Sequence, residues 1–376
     1  MKRRSNGDGA FRKRSANSWE GCIRIEGERY YVYGKTKAEA KQKLAALKTE
    51  IEDGTYVKEN KITVAEWMDT WIECYTARIK DSSRDRYMTD IRCHIKPELG
   101  TKRLQDLKLL TVQKFLNHCK AKGLALKTVK NIYLVLNKAL TRAQKDGLIK
   151  QNPCADAEIP SYDAPQKEIR PLKDKEIPAF LEAIQGHPFE QLFYVAIFTG
   201  MRQSELIGLS WDCIDWDHET IHLYRQLKRA RGKDGPWVFT TLKNKQDRTF
   251  AVPHSVMAAL QKARRKQAEW KLAYGQLFQN TNNLVFTSKY GKHLATHTVW
   301  KEFKQIVTRM GLPEVRFHDL RHSYATLAIQ NGVDIKTVST NLGHATVAFT
   351  MDEYAHVSLT MQKESAARME AFIASL

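Results

Sequence analysis

The spacing of apolar positions changes along the chain, and each change marks a different kind of element. In the first stretch they form short aromatic and β-branched runs: Phe11 within FRKR, then residues 19–25, then 29–33. Asn, Ser and Gly separate these runs, which predicts three short strands. From 37 to 51 the period lengthens, and Ala40, Leu44, Leu47 and Ile51 fall on one stripe of a helix. Residues 1–57 therefore predict a small three-stranded sheet plus one helix, with one sheet face packed on the helix and the other free.

Residues 61–154 keep the helical period throughout, near 63–79, 82–94, 108–122 and 126–146. Pro97, Gly100 and Gly123 punctuate them, and the pattern predicts a bundle of four or five helices. Residues 155–170 carry two prolines and no periodicity, which reads as an exposed linker. Residues 171–376 open with helices at 173–183 and 189–199, continue as short strands around 220–253, and return to a long charged helix at 255–274 and further helices. The fold class is multidomain and mainly α with small β-sheets. No apolar run approaches the roughly 18 residues of a membrane span.

Charge narrows the partners. The 376 residues hold 61 Lys+Arg against 42 Asp+Glu, a formal net charge of +19. Residues 1–14 alone hold six basic residues against one acidic, and basic clusters recur at 225–233, 243–248 and 262–271. Nucleic acid is the leading candidate partner, because a polyanion releases counterions to a basic surface. A sheet ribbon also fits the DNA major groove. On the N-terminal sheet, Arg12, Arg14, Arg24, Tyr31 and Tyr33 are candidate DNA contacts, although alternation does not say which face is free. Positive charge at the N-terminus is followed by no apolar segment, and the six cysteines form no CxxC pair. A cytoplasmic chain with reduced thiols and no metal cluster is expected.

The sequence contains no GxxxxGK[ST], GxGxxG, HExxH or GxSxG, so an NTPase, a Rossmann oxidoreductase, a zincin and an α/β-hydrolase are unsupported. Four polar constellations remain. In Thr199-Gly-Met-Arg202-Gln-Ser-Glu205, Gly200 ends one helix and Arg202 begins the next, with Glu205 one turn on to orient the guanidinium. Thr241 to Pro253 reads as a β-hairpin whose basic turn carries Lys243 and Lys245. In His318-Asp-Leu-Arg321, a general acid/base and a bidentate phosphate fork share a helix face. Last come Leu342-Gly-His344 and, ten residues beyond His344, Tyr354. Each of these alone matches an ordinary capping, packing or solvated residue.

Taken in chain order, the set resembles the tyrosine recombinases of the phage-integrase type. That family carries Arg, a hairpin Lys, His-x-x-Arg, a second His or Trp, and a nucleophilic Tyr. Here the slots fall on Arg202, Lys243, His318, Arg321, His344 and Tyr354, with Glu205 in the usual acidic position; Lys245 competes with Lys243. The three-block plan resembles conjugative-transposon and phage integrases.

The resemblance implies an arm-type DNA-binding domain at 1–57, a core-binding helical domain at 61–154 and an α+β catalytic domain at 171–376. It implies DNA integration and excision of a mobile element through a 3′-phosphotyrosine, with no cofactor, no metal and no ATP. It further implies core-type and arm-type sites on double-stranded DNA, clamped by the second and third blocks, and a homotetramer built by trans docking of a C-terminal helix carrying Met369, Phe372, Ile373 and Leu376. A host DNA-bending protein and an excisionase are the implied accessory partners. Type IB topoisomerases and chromosome-dimer-resolving recombinases share the chemistry, and a catalytically silent DNA-binding regulator is the alternative from another class.

Overall fold

The computed structural model describes residues 9–161, 170–230, 235–243, 246–344 and 346–353, with isolated positions between 366 and 374. The chain divides into two compact units, Met1–Pro165 and Gln166–Leu376.

The first unit opens with β1 (Ala10–Ser15), β2 (Ser18–Ile25) and β3 (Glu28–Gly34), an antiparallel sheet in that order. Glu26 and Gly27, at φ 50° and 91°, close the second hairpin in the left-handed conformation that suits strand twist. Helix α1 (Lys37–Glu52), capped by Thr36, buries Ala40 and Leu44 against one face. Gly34 marks that face: a Cβ there would stand 2.7 Å from the Ala40 nitrogen. Register resolves which face is free. Tyr33 pairs with Glu20, Tyr31 with Cys22, Arg24 with Arg29 and Arg12 with Glu20. Alternation then sets Arg12, Arg24, Tyr31 and Tyr33 opposite α1. Arg14 joins them, bonded to Glu20 at 2.6 Å with its guanidinium 6.0 Å from the Tyr33 ring centre.

Helices α2 (Val64–Tyr75), α3 (Asp81–Asp90), α4 (Lys96–Leu99), α5 (Leu109–Ala121) and α6 (Leu126–Lys145) complete the unit. A capping box of Thr63 and Glu66 starts α2, and a π turn at Ile91–Ile95 joins α3 to α4. Met68, Ile95, Leu116, Ile132, Leu136 and Leu140 are fully buried between them. The stretch expected to be an exposed linker is docked in its first half. The Gln113 amide accepts from the Glu158 N–H and donates to its carbonyl, both at 2.9 Å, as a neighbouring strand would. Lys120 holds the Ser161 carbonyl at 2.6 Å, and Ala157 and Ile159 pack on the helical core.

The second unit contains α7 (Ile177–Ile184), α8 (Glu190–Thr199), α9 (Gln203–Leu206), β4 (Ile214–Asp215), β5 (Thr220–Leu223), β6 (Arg225–Arg229), β7 (Trp237–Thr241), β8 (Arg248–Ala251), α10 (His254–Tyr274), α11 (Thr296–Arg309), α12 (Asp319–Gln330), α13 (Ile335–Leu342) and α14 (Val347–Glu353). Phe180, Phe193 and Phe303 stack edge to face at its centre, with centroids about 6 Å apart. The expected hairpin from Thr241 to Pro253 does not form. Strand β7 pairs with β6 and β8 pairs with β5, in two different sheets. Thr241 and Arg248, on either side of residues 242–247, therefore belong to different ladders rather than to one hairpin. Among the described residues, no helix is long and apolar enough to cross a membrane.

Candidate active site

Helix α8 stops at Gly200, whose φ of 62° puts it in the left-handed region. A Cβ there would stand 2.6 Å from the Tyr324 ring and 2.7 Å from a Leu342 methyl, so only glycine makes this turn. The turn delivers Arg202 to the N-cap of α9. Glu205 then fixes it twice, accepting from the Arg202 N–H at 2.9 Å and from Nη1 at 2.8 Å.

Glu205 is completely buried, and a second guanidinium reaches it. Arg248 donates through Nη2 at 2.7 Å and Nη1 at 3.3 Å. Burial alone pushes this carboxyl up; the bonds and charge of Arg248, followed by Arg202, overcome it and hold Glu205 at about 2.

The other half of the site lies on α12 and α13. His318 stands at the N-cap position of α12 without a side-chain capping bond, and Asp319, 1% exposed, is pinned by Arg316 at 3.0 Å. Arg321 is buried and donates to the Gly200 carbonyl at 2.9 Å and to the Leu342 carbonyl. Helix α13 ends at Gly343, left-handed at φ 63°. Its final carbonyls are divided among three arginines. Arg248 Nε holds Asn341 O at 2.8 Å, Arg321 holds Leu342 O, and Arg202 Nη2 holds Gly343 O at 3.1 Å. A helix C-terminus leaves carbonyls without intrahelical partners and carries negative dipole charge, so it favours cations. Three guanidiniums are thereby fixed at successive peptide steps, and two of them, Arg202 and Arg248, also share the buried Glu205 carboxylate.

His344 follows directly, its Nδ1 2.7 Å from Thr350 Oγ1. Burial, then the charges of Arg321 and Arg202, push its ring down to about 3. Burial and His318 push His322 down to about 4. His318 keeps part of its ring open to solvent, yet protein crowding and the Arg321 charge lower it too. All three imidazoles are neutral at pH 7. Arg202, Arg248 and His344 line one open cleft with Leu242, Lys336 and Val347.

The fold thus brings together five residues singled out by the sequence: Arg202, Glu205, His318, Arg321 and His344. Lys243 is exposed in the segment between Thr241 and Arg248, and its neighbour Lys245 lies outside the described residues. Tyr354 also lies outside them, one position past the end of α14. Arg248 was not anticipated. Its signal is alternation: Arg248, Phe250 and Val252 occupy the buried positions of their run, so a charge sits where the pattern demands an apolar residue.

A cluster of fixed guanidiniums flanked by neutral histidines suits the binding of a phosphate group. Comparison with known proteins makes that reading particular. Residues 170–361 match the phage integrase family, and residues 63–119 match the phage integrase N-terminal SAM-like domain. A XerC-like tyrosine recombinase of Caldanaerobacter subterraneus subsp. tengcongensis is 32% identical over 349 residues, 89% of each chain. The ICEBs1 integrase of Bacillus subtilis is 26% identical, covering 92% of this chain and 94% of its own. The Tn1549 transposon integrase, solved in complex with transposon right end DNA, superposes with a TM-score of 0.67 at 22% identity, covering 82% of this chain and 99% of that one. The chain belongs to the phage integrase family and is a tyrosine-type site-specific recombinase.

Proposed function

We propose that this recombinase integrates and excises a mobile element by a 3′-phosphotyrosine mechanism, with the arginine-capped end of α13 as its phosphate site. The observation that carries the reading is that cluster. Arg202 and Arg321, fixed by carbonyls one residue apart, meet the non-bridging oxygens of the scissile phosphate and neutralise charge that grows in the transition state.

Tyr354 supplies the nucleophile. Its phenol, with a free pKa of about 10, is protonated at neutral pH and needs a base. Neutral His318 takes the proton as the Tyr354 oxygen bonds to phosphorus. The bond to the 5′ oxygen breaks, and Lys243 (or Lys245) gives that oxygen a proton. His344, neutral at pH 7 because its pKa is pushed down to about 3, donates a hydrogen bond to the phosphate without adding charge. The phosphodiester energy is retained in the phosphotyrosine, so a new 5′ hydroxyl reverses the step without ATP.

The free sheet face, with Arg12, Arg14, Arg24, Tyr31 and Tyr33, binds arm-type DNA, and the 61–154 helices bind the core site. Related structures of lambda integrase include a dimer on a core site and a tetramer on a Holliday junction, which supports assembly of this chain as a tetramer on DNA. The exposed Met369, Phe372 and Ile373 support docking of the C-terminal segment on a neighbouring protomer; Leu376, on the same stripe, lies outside the described residues. A host bending protein and an excisionase set direction, and the enzyme acts in the bacterial cytoplasm at the nucleoid.

The test is denaturing capture of covalently bound DNA from cells expressing the wild type or Tyr354→Phe, followed by sequencing of the attached ends. Discrete ends with the wild type only, and unchanged DNA affinity in the variant, are expected. Scattered ends would instead identify topoisomerase-like activity, and an adduct persisting in Tyr354→Phe would remove the nucleophile assignment.

A further inference from the structure

We propose that Arg248 is a positioning residue for strand cleavage, holding Glu205 and the end of α13 so that Arg202 meets the phosphate. The proposal rests on the recombinase reading above and adds a residue to it.

Four observations converge on this side chain. Arg248 is buried, 8% exposed, at the first position of β8, where it pairs with Leu223. It forks onto both Glu205 oxygens, the same two oxygens that orient Arg202. Its Nε grips the Asn341 carbonyl at 2.8 Å, in series with the Leu342 and Gly343 carbonyls held by Arg321 and Arg202. Finally, a Cβ on Gly343 would stand 2.9 Å from Arg248 Nη1, so the guanidinium lies flat against the residue that precedes His344.

The electrostatics explain why a second arginine is present. A buried carboxylate with Arg202 as its sole partner would draw that guanidinium inward and spend its charge on the ion pair. With Arg248 supplying the neutralising charge, Glu205 orients Arg202 while the Arg202 charge remains directed at the open cleft. Arg248 also ties the end of the Lys243 segment to the phosphate site, since 242–247 terminates at this residue. Its effect on chemistry is therefore indirect, through Arg202 and the α13 terminus.

The experiment uses the full-length protein and a nicked duplex carrying the attachment sequence recovered by covalent capture. It is prepared with either an ordinary scissile phosphodiester or a methylphosphonate. The methyl group removes the negative charge that Arg202 meets, so a defect transmitted through Arg202 shrinks on that substrate, whereas a defect from loosened folding does not. For Arg248→Gln we expect phosphodiester cleavage to fall about 10–100-fold, the usual effect of losing an outer-shell orienting partner. On methylphosphonate its rate relative to wild type should return close to unity, as it should for Arg202→Ala.

Arg248→Lys keeps the charge beside Glu205 but lacks the fork, and provides the comparison if the Gln variant does not fold. It should show a smaller loss with the same rescue. Equal losses on both substrates, or wild-type phosphodiester cleavage by Arg248→Lys, would falsify the positioning role. If the wild type itself forms no covalent adduct, the recombinase reading fails instead.

Discussion

Two regions of this chain are rich in positive charge, and they use it in opposite ways. On the N-terminal sheet, Arg12, Arg14 and Arg24 stand exposed beside Tyr31 and Tyr33, and Arg14, though paired with Glu20, keeps about half of its side chain in solvent. In the catalytic unit, Arg248 and Arg321 are buried and Arg202 nearly so, and they donate to Glu205 and to the main-chain carbonyls of Gly200, Asn341, Leu342 and Gly343. Exposed charge is screened by salt and adaptable in position, which suits affinity for a polyanion. Buried, fully bonded charge is weakly screened and fixed in place, which suits stabilisation of a transition state. The same residue type thus provides either reach or geometry, depending on burial.

The comparison breaks first at Glu205. Glu205→Ala leaves Arg248 buried without its carboxylate, and chemical denaturation should show a loss of about 3–5 kcal/mol. Arg202→Ala should be quieter in stability, because Glu205 keeps Arg248, yet cleavage of a nicked duplex should fall about 10²–10³-fold. Acid sharpens the contrast. The unfolded chain protonates its histidines below about 6.5, while folded His344 and His322 stay neutral down to about 3 and 4. Each folded pKa is depressed, so stability is full above pH 6.5 and falls as the pH drops toward 4; urea midpoints measured from pH 7.5 to 4.5 should decline, and less steeply in His322→Gln. The smallest effect is on the sheet. Arg12→Ala should weaken binding to an arm-type duplex modestly and lower the slope of log affinity against log salt by about 1.

Much of this was legible from the residues. The switch from short aromatic runs to a helical stripe located the sheet and α1, because both periodicities are local. The free sheet face was not legible, since alternation gives two equivalent faces until α1 and Gly34 choose one. The split of β7 and β8 between sheets was hidden because a polar run such as 243–248 looks the same as a turn whether or not its flanks pair with each other. Arg202, Glu205, His318, Arg321 and His344 were readable as an ordered set of chemical types. Arg248 was not, because a lone arginine in a strand ordinarily faces solvent; only its phase with Phe250 and Val252 betrays it.

The interrupted ladder has a consequence for how such an enzyme diversifies. Leu223, the last residue of β5, and Arg225, the first of β6, are two apart in sequence, while their partners Arg248 in β8 and Thr241 in β7 are seven apart. Between them, Leu242 and Arg248 are both buried and anchor the two ends of the intervening segment. Lengthening such a segment costs only about 0.6 kcal/mol for each doubling. Because Leu242, Gln246 and Asp247 line the same cleft as Arg202 and His344, a change of length there alters the cleft wall rather than the ladders on either side. The length of this one segment can vary while the strands that flank it keep their partners.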